Sequence, residues 1–110
     1  MTDQEFQKYS EAALDALKRS LYEAESTADF EVEEVNGALQ VNFDEPPGRF
    51  VVSPNSPVRQ IWISALSTSF KLDWQEASQS FVLTKSGEGL KQLMSRLINE
   101  QLGGEDVELH

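Results

Sequence analysis

The stretch FEVEEVNGALQVNFD, Phe30 to Asp44, decides the fold. Phe30 and Val32, with Val35 beyond them, alternate with Glu31 and Glu33; Leu39, Val41 and Phe43 alternate with Gln40, Asn42 and Asp44. Side chains of an extended chain point to opposite faces in turn, so each run has one apolar and one polar face. Asn36-Gly37 between them supplies two residues that tolerate positive φ, as a two-residue hairpin turn requires. The stretch reads as a half-buried antiparallel hairpin.

The same period continues downstream. Glu45-Pro46-Pro47-Gly48 turns the chain, Phe50 and Val52 begin another strand, and Ser53-Pro54-Asn55-Ser56-Pro57 ends it. Gln60-Ile61-Trp62-Ile63-Ser64 is the next strand. Leu66-Ser67-Thr68-Ser69 loops into Phe70, Leu72 and Trp74, and Phe81-Val82-Leu83 is a short last strand. Upstream, Phe6, Tyr9, Ala13, Leu17, Leu21 and Ala24 recur at spacings of three and four, predicting a helix from Thr2 to about Ala24. Thr2 or Asp3 can cap it, and early acids suit the helix dipole. Downstream, Ser86 reads as an N-cap before the stripe Leu90, Leu93, Met94, Leu97, Ile98 and Leu102, which Gly103-Gly104 stops.

The order is helix, five or six short strands, helix. Tight hairpins imply a mainly antiparallel sheet. Each strand is apolar on one face and each helix carries one apolar stripe, so both helices pack on the same sheet face. The expected fold is α+β, a two-layer α/β sandwich. Its domain spans residues 1–104, followed by a short acidic tail over residues 105–110, whose Val107 and Leu109 either tuck between the helices or stay loose.

Length and composition set the class. A chain of 110 residues makes one domain. At 39% hydrophobic and 25% charged it is an ordinary globular protein, not a disordered acidic tail. There is no Cys, which excludes disulfides, thiolate metal sites and cysteine nucleophiles. No apolar run reaches the length of a membrane span, and the first residues have no signal-peptide character, so a cytoplasmic protein is expected.

Charge is distributed unevenly. Residues 1–45 hold twelve acids against three bases, a net −9 of the total −10. Such asymmetry creates a directional field that repels nucleic acid and anionic lipid and attracts cations or a basic protein surface. Glu11 and Asp15 share the helix face opposite the apolar stripe, Glu23 and Glu25 lie near its end, and Asp29, Glu31 and Glu33 follow. If the first strand edges the sheet beside the helix, these acids form one ridge. Carboxylate oxygens are hard ligands suited to iron, Ca²⁺, Mn²⁺ and Mg²⁺. A solvated face that keeps the protein soluble is the alternative.

On the strand Gln60–Ser64, period two puts Ile61 and Ile63 toward the helices. Trp62 then stands outward with Gln60 and Ser64, beside Gln40 and Asn42, in a polar, nearly uncharged patch. An aromatic placed so is a candidate protein contact. No enzyme is expected: the one His, His110, is at the chain end, and no Ser has a base in a recognisable constellation. Ser86-Gly87-Glu88-Gly89 lacks the Lys and spacing of a phosphate loop. The basic residues show no nucleic-acid pattern.

Pro57-Val58-Arg59-Gln60-Ile61-Trp62-Ile63-Ser64 followed by Asp73-Trp74, the Glu5-Phe6 start, Asn36-Gly37 before a Leu-containing strand, and Lys85-Ser86-Gly87-Glu88 before the last helix occur in an order that resembles the frataxin family, most closely its short bacterial members of the CyaY type. The resemblance runs from about Asp3 to Gln101. It implies a frataxin-like fold and a non-catalytic accessory protein of iron–sulfur cluster assembly that binds iron (Fe²⁺/Fe³⁺) weakly. By position, the implied metal ridge is Asp3, Glu11, Asp15, Glu23, Glu25, Asp29, Glu31 and Glu33. The implied partners are a cysteine desulfurase, met by the ridge through Glu11 and Asp15, and the scaffold protein, met by Gln60 and Trp62 with Asn42 and Ser64. A monomer is expected, with iron-dependent oligomers left open. The chain departs from the family pattern at Lys18, Arg19, Tyr22 and Thr27, where acids are usual, at Gln7 for a His, and at Ser53 for an Asn. The alternative from charge alone is an acidic protein that neutralises an unrelated basic partner; an iron-oxidising enzyme would need a closely held metal pair.

Overall fold

The computed structural model describes residues 1–104 together with Val107 and Leu109. Helix α1 spans Asp3–Glu25. Strands β1 (Glu31–Val35), β2 (Ala38–Asp44), β3 (Pro47–Asn55), β4 (Gln60–Ala65), β5 (Thr68–Gln75), β6 (Ser80–Leu83) and β7 (Glu88–Gly89) follow, and helix α2 spans Leu90–Gln101. Spatial order equals chain order, β1 to β7, with every neighbouring pair antiparallel. This is the expected two-layer arrangement, with both helices contributing to one core against one sheet face.

Local chemistry explains the boundaries. Thr2 Oγ1 accepts from the Glu5 N–H at 3.1 Å while Glu5 Oε1 accepts from the Thr2 N–H at 3.0 Å, a capping box that satisfies two orphan donors. The Thr2 backbone N–H first, and the Thr2 hydroxyl second, hold the Glu5 carboxyl below its ordinary range. Asn36 and Gly37 take positive φ (51° and 81°), as the turn between β1 and β2 needs.

The inner face is a continuous apolar layer. Val41, Val52, Ile61, Ile63 and Leu72 from the central strands are fully buried, facing Leu17 and Leu21 of α1 and Leu93, Met94, Leu97 and Ile98 of α2. Each such side chain contributes about 1.5–3 kcal/mol by leaving water. Aromatic contacts bind α1 to the far strands: Tyr9 stacks on Trp74 at 4.4 Å, and Phe6 meets Phe81 edge-on at 5.9 Å.

The structure differs from the sequence pattern at several boundaries. Strand β3 takes in Pro47-Gly48 and Ser53-Pro54-Asn55, which read as turns, because these residues pair with β2 and β4. The sheet has seven strands, not five or six, because the chain after Ser86-Gly87 pairs Glu88 with Leu83 and Gly89 with Val82 before the helix begins. Ser86 is therefore not the α2 N-cap. Its hydroxyl accepts from the Glu88 N–H at 3.2 Å within the turn, and Gly89 takes the cap position without a side-chain bond. Thr68 and Ser69 belong to β5, so the β4–β5 connection is only Leu66-Ser67. Of the tail, Glu105, Asp106, Glu108 and His110 lie outside the described residues. Val107 and Leu109 dock on α2: the Asn99 amide bonds both Val107 backbone groups, at 2.7 and 3.0 Å, and the Leu109 N–H donates to Ser95 Oγ at 3.0 Å. Leu109 joins the core at 7% exposure.

Candidate functional site

Strand β1 is the sheet edge beside α1, and that edge divides the expected ridge acids between two surfaces. On the α1 side, Glu11, Asp15, Lys18 and Glu34 line an open groove of about 830 Å³. On the outer sheet face, Glu31 pairs across β2 with Asn42 and Glu33 with Gln40, and a shallow depression joins Glu31 and Glu33 to Asn42 and Arg49.

Most of the α1-side acids already have partners. Asp15 Oδ2 lies 2.8 Å from Arg19 Nη2, and its other oxygen lies 3.9 Å from Lys18 Nζ. Lys18 also reaches Glu34 at 3.4 Å. Asp3 pairs with Arg59 at 3.0 Å, across 56 positions of sequence. Glu11 accepts from Gln7 Nε2 at 3.2 Å. Glu25 Oε2 accepts the Val32 N–H at 2.6 Å, using its charge to cover an outward backbone donor of the edge strand. Glu23, Asp29, Glu31 and Glu33 are exposed and make no ion pair among the described residues.

The donor set is the right chemistry for a hard cation, since every candidate ligand is a carboxylate. Among the described residues no three such side chains converge on one metal-sized point. The arrangement therefore supplies diffuse attraction, not a preformed chelate.

The outer face carries the second candidate. Trp62 is half-buried there, between Ser53 on β3 and Lys71 on β5. Its indole N–H donates to Gln60 Oε1 at 2.9 Å, and Gln60 Nε2 donates to Asp73 Oδ1 at 2.9 Å. Lys71 Nζ sits 4.9 Å from the indole centroid, a cation–π contact. Ser64 is exposed, opposite Val51 and Ser69. The Asn42 side-chain Oδ1 accepts from Arg49 Nε at 3.0 Å. Trp62, Gln60 and Ser64 thus share the outer face, with Asn42 two strands away. The patch is not nearly uncharged, as period two alone led us to expect: Arg49, Lys71 and Asp73 stand on it. The signal was present, because Lys71 and Asp73 alternate with Phe70, Leu72 and Trp74.

The family pattern described as "Frataxin-like domain" matches residues 1–104. The chain belongs to the frataxin family. Among bacterial frataxins, the iron–sulfur cluster assembly protein CyaY of Pseudomonas aeruginosa is 38% identical over 97 residues, covering 86% of this chain and 88% of that one. The CyaY protein of Herminiimonas arsenicoxydans is 29% identical over 109 residues, covering 97% and 96%. The solved frataxin from Psychromonas ingrahamii superposes with a TM-score of 0.81 over 98% of this chain and 97% of its own, at 20% identity, which speaks for the fold. Frataxins of the CyaY type are non-enzymatic proteins of iron–sulfur cluster assembly, and the family binds iron. No helix among the described residues is long and apolar enough to cross a membrane.

Proposed function

We propose that this frataxin is an iron-binding accessory protein of iron–sulfur cluster assembly that docks on a cysteine desulfurase and its scaffold. The observation that carries the reading is the shared face. Glu31 and Glu33 at the β1 edge point to the same side of the sheet as Trp62 on β4, so one surface offers a negative margin and an aromatic centre. The margin steers a basic partner, and the half-buried indole is the kind of anchor that dominates a protein contact.

Iron is cargo in this reading. It associates through exposed carboxylates, foremost Asp29, Glu31 and Glu33 with Glu23, whereas Asp3, Asp15 and Glu25 are engaged by Arg59, Arg19 and the Val32 N–H. Glu11 adds to the field from the α1 groove. Affinity is correspondingly low and salt-sensitive. The test is cluster formation on the scaffold, driven by the desulfurase. Adding the wild-type protein is expected to change the rate, and adding Trp62→Ala is not. A rate indifferent to the wild-type protein would refute the assignment and favour an acidic protein with an unrelated basic partner.

A further inference from the structure

The geometry points to Asp73 as the positioning residue that fixes the indole of Trp62 for docking, a role that rests on the reading of Trp62 as a partner contact. Gln60 and Trp62 are two apart on β4, and Asp73 on β5 is the direct cross-strand partner of Gln60. The three side chains form one directed chain: the Trp62 N–H donates to Gln60 Oε1, and Gln60 Nε2 donates to Asp73 Oδ1, both at 2.9 Å. An indole nitrogen can only donate and a carboxylate can only accept. The amide between them therefore fits in one orientation alone. Without Asp73 only the single indole bond orients the Gln60 amide, whose NH₂ is then left without its acceptor.

The ring is held on its face as well as its edge. Lys71 is the direct cross-strand partner of Trp62 and places its ammonium over the ring. A side chain fixed in advance spares the partner the cost of ordering it, a gain of about two- to tenfold in Kd. Gln60 is thus the connector, and Asp73 sets its polarity from a position that need not touch the partner.

The test uses the full chain and the exchange rate of the Trp62 indole N–H by NMR. The Trp74 indole, bonded to Glu76 at 3.2 Å, serves as an internal reference. Asp73→Ala is expected to speed Trp62 exchange about fivefold and weaken desulfurase binding about two- to tenfold, leaving Trp74 unchanged. The paired change Gln60→Glu with Asp73→Asn reverses the polarity. The new carboxylate at 60 accepts from both the indole and the new amide at 73, and net charge is that of the wild type. It is expected to restore slow exchange and binding to within about twofold. Wild-type exchange in Asp73→Ala, or fast exchange in the paired variant, would overturn the assignment. If Trp62→Ala binds the desulfurase like the wild type, the docking reading fails, and the exchange rates still decide whether Asp73 positions the indole.

Discussion

Lys18 Nζ lies 3.4 Å from Glu34 Oε2, and that contact ties the exposed face of α1 to the edge strand β1. It places a cation inside the acidic ridge. Arg19 adds a second, 2.8 Å from Asp15. The pairs are exposed and hold little folding energy, of order 0–1 kcal/mol each. Their consequence is electrostatic. Lys18→Gln with Arg19→Gln is expected to speed association with a basic partner about threefold at low salt. The gain should vanish at high salt, and stopped-flow association rates at two ionic strengths check both.

Divalent cations should find the free acids first. Titration with Mn²⁺, whose paramagnetism broadens nearby NMR signals, is expected to broaden the Asp29, Glu31 and Glu33 amides before that of Asp15. The Asp15 oxygens are engaged by Arg19 and Lys18, and a cation must displace them. First broadening at Asp15 would reverse this order.

The architecture was legible wherever a side-chain period ran for four or more residues. Period two over Phe30–Asp44 and Gln60–Ser64 put Val41, Ile61 and Ile63 inside and Trp62 outside, as found. β7 was not legible because two residues, one of them glycine, carry no period; a Ser followed by an apolar stripe looks the same whether it caps a helix or a turn. Buried Ser10 and Ser20 lie on the core face of α1, where a small polar residue gives no apolar signal. At the site, residue identities were readable but pairings were not. Asp3 meets Arg59 only because η1, the single turn Ser56–Val58, packs near the start of α1.

Acid should loosen the junction of β7 and α2. Glu88, with its side chain 15% exposed, accepts two bonds from the Arg96 guanidinium, at 2.8 and 3.1 Å. The Arg96 bonds hold the Glu88 carboxyl below the ordinary glutamate range. A lowered folded-state pKa means stability present above the ordinary value and lost as pH falls through the folded one. Glu88→Gln is expected to cost about 1 kcal/mol at neutral pH and to flatten this acid limb of the stability curve. Urea midpoints from neutral pH down past the glutamate range measure it. An acid limb as steep in Glu88→Gln as in the wild type would contradict it.

Val107 and Leu109 should be part of the cooperative core. Leu109 is buried against it, and the Asn99 amide holds Val107 by two bonds. Leu109→Ala is expected to destabilise by about 2 kcal/mol, the low end for a buried leucine, and Asn99→Ala by about 1 kcal/mol. Urea unfolding of both variants checks this. Unchanged midpoints would mean that the tail docking contributes nothing.

One face of the protein should combine electrostatic steering with an aromatic contact. Titrating the protein onto a purified bacterial cysteine desulfurase at low and high salt, beside Trp62→Ala and Glu31→Lys with Glu33→Lys, tests it most directly. Binding is expected at low salt and should weaken about tenfold or more at high salt. Trp62→Ala is expected to lose affinity at both salts, and the charge-reversed pair chiefly at low salt. Absence of binding at low salt, or equal binding by all three proteins, would contradict it.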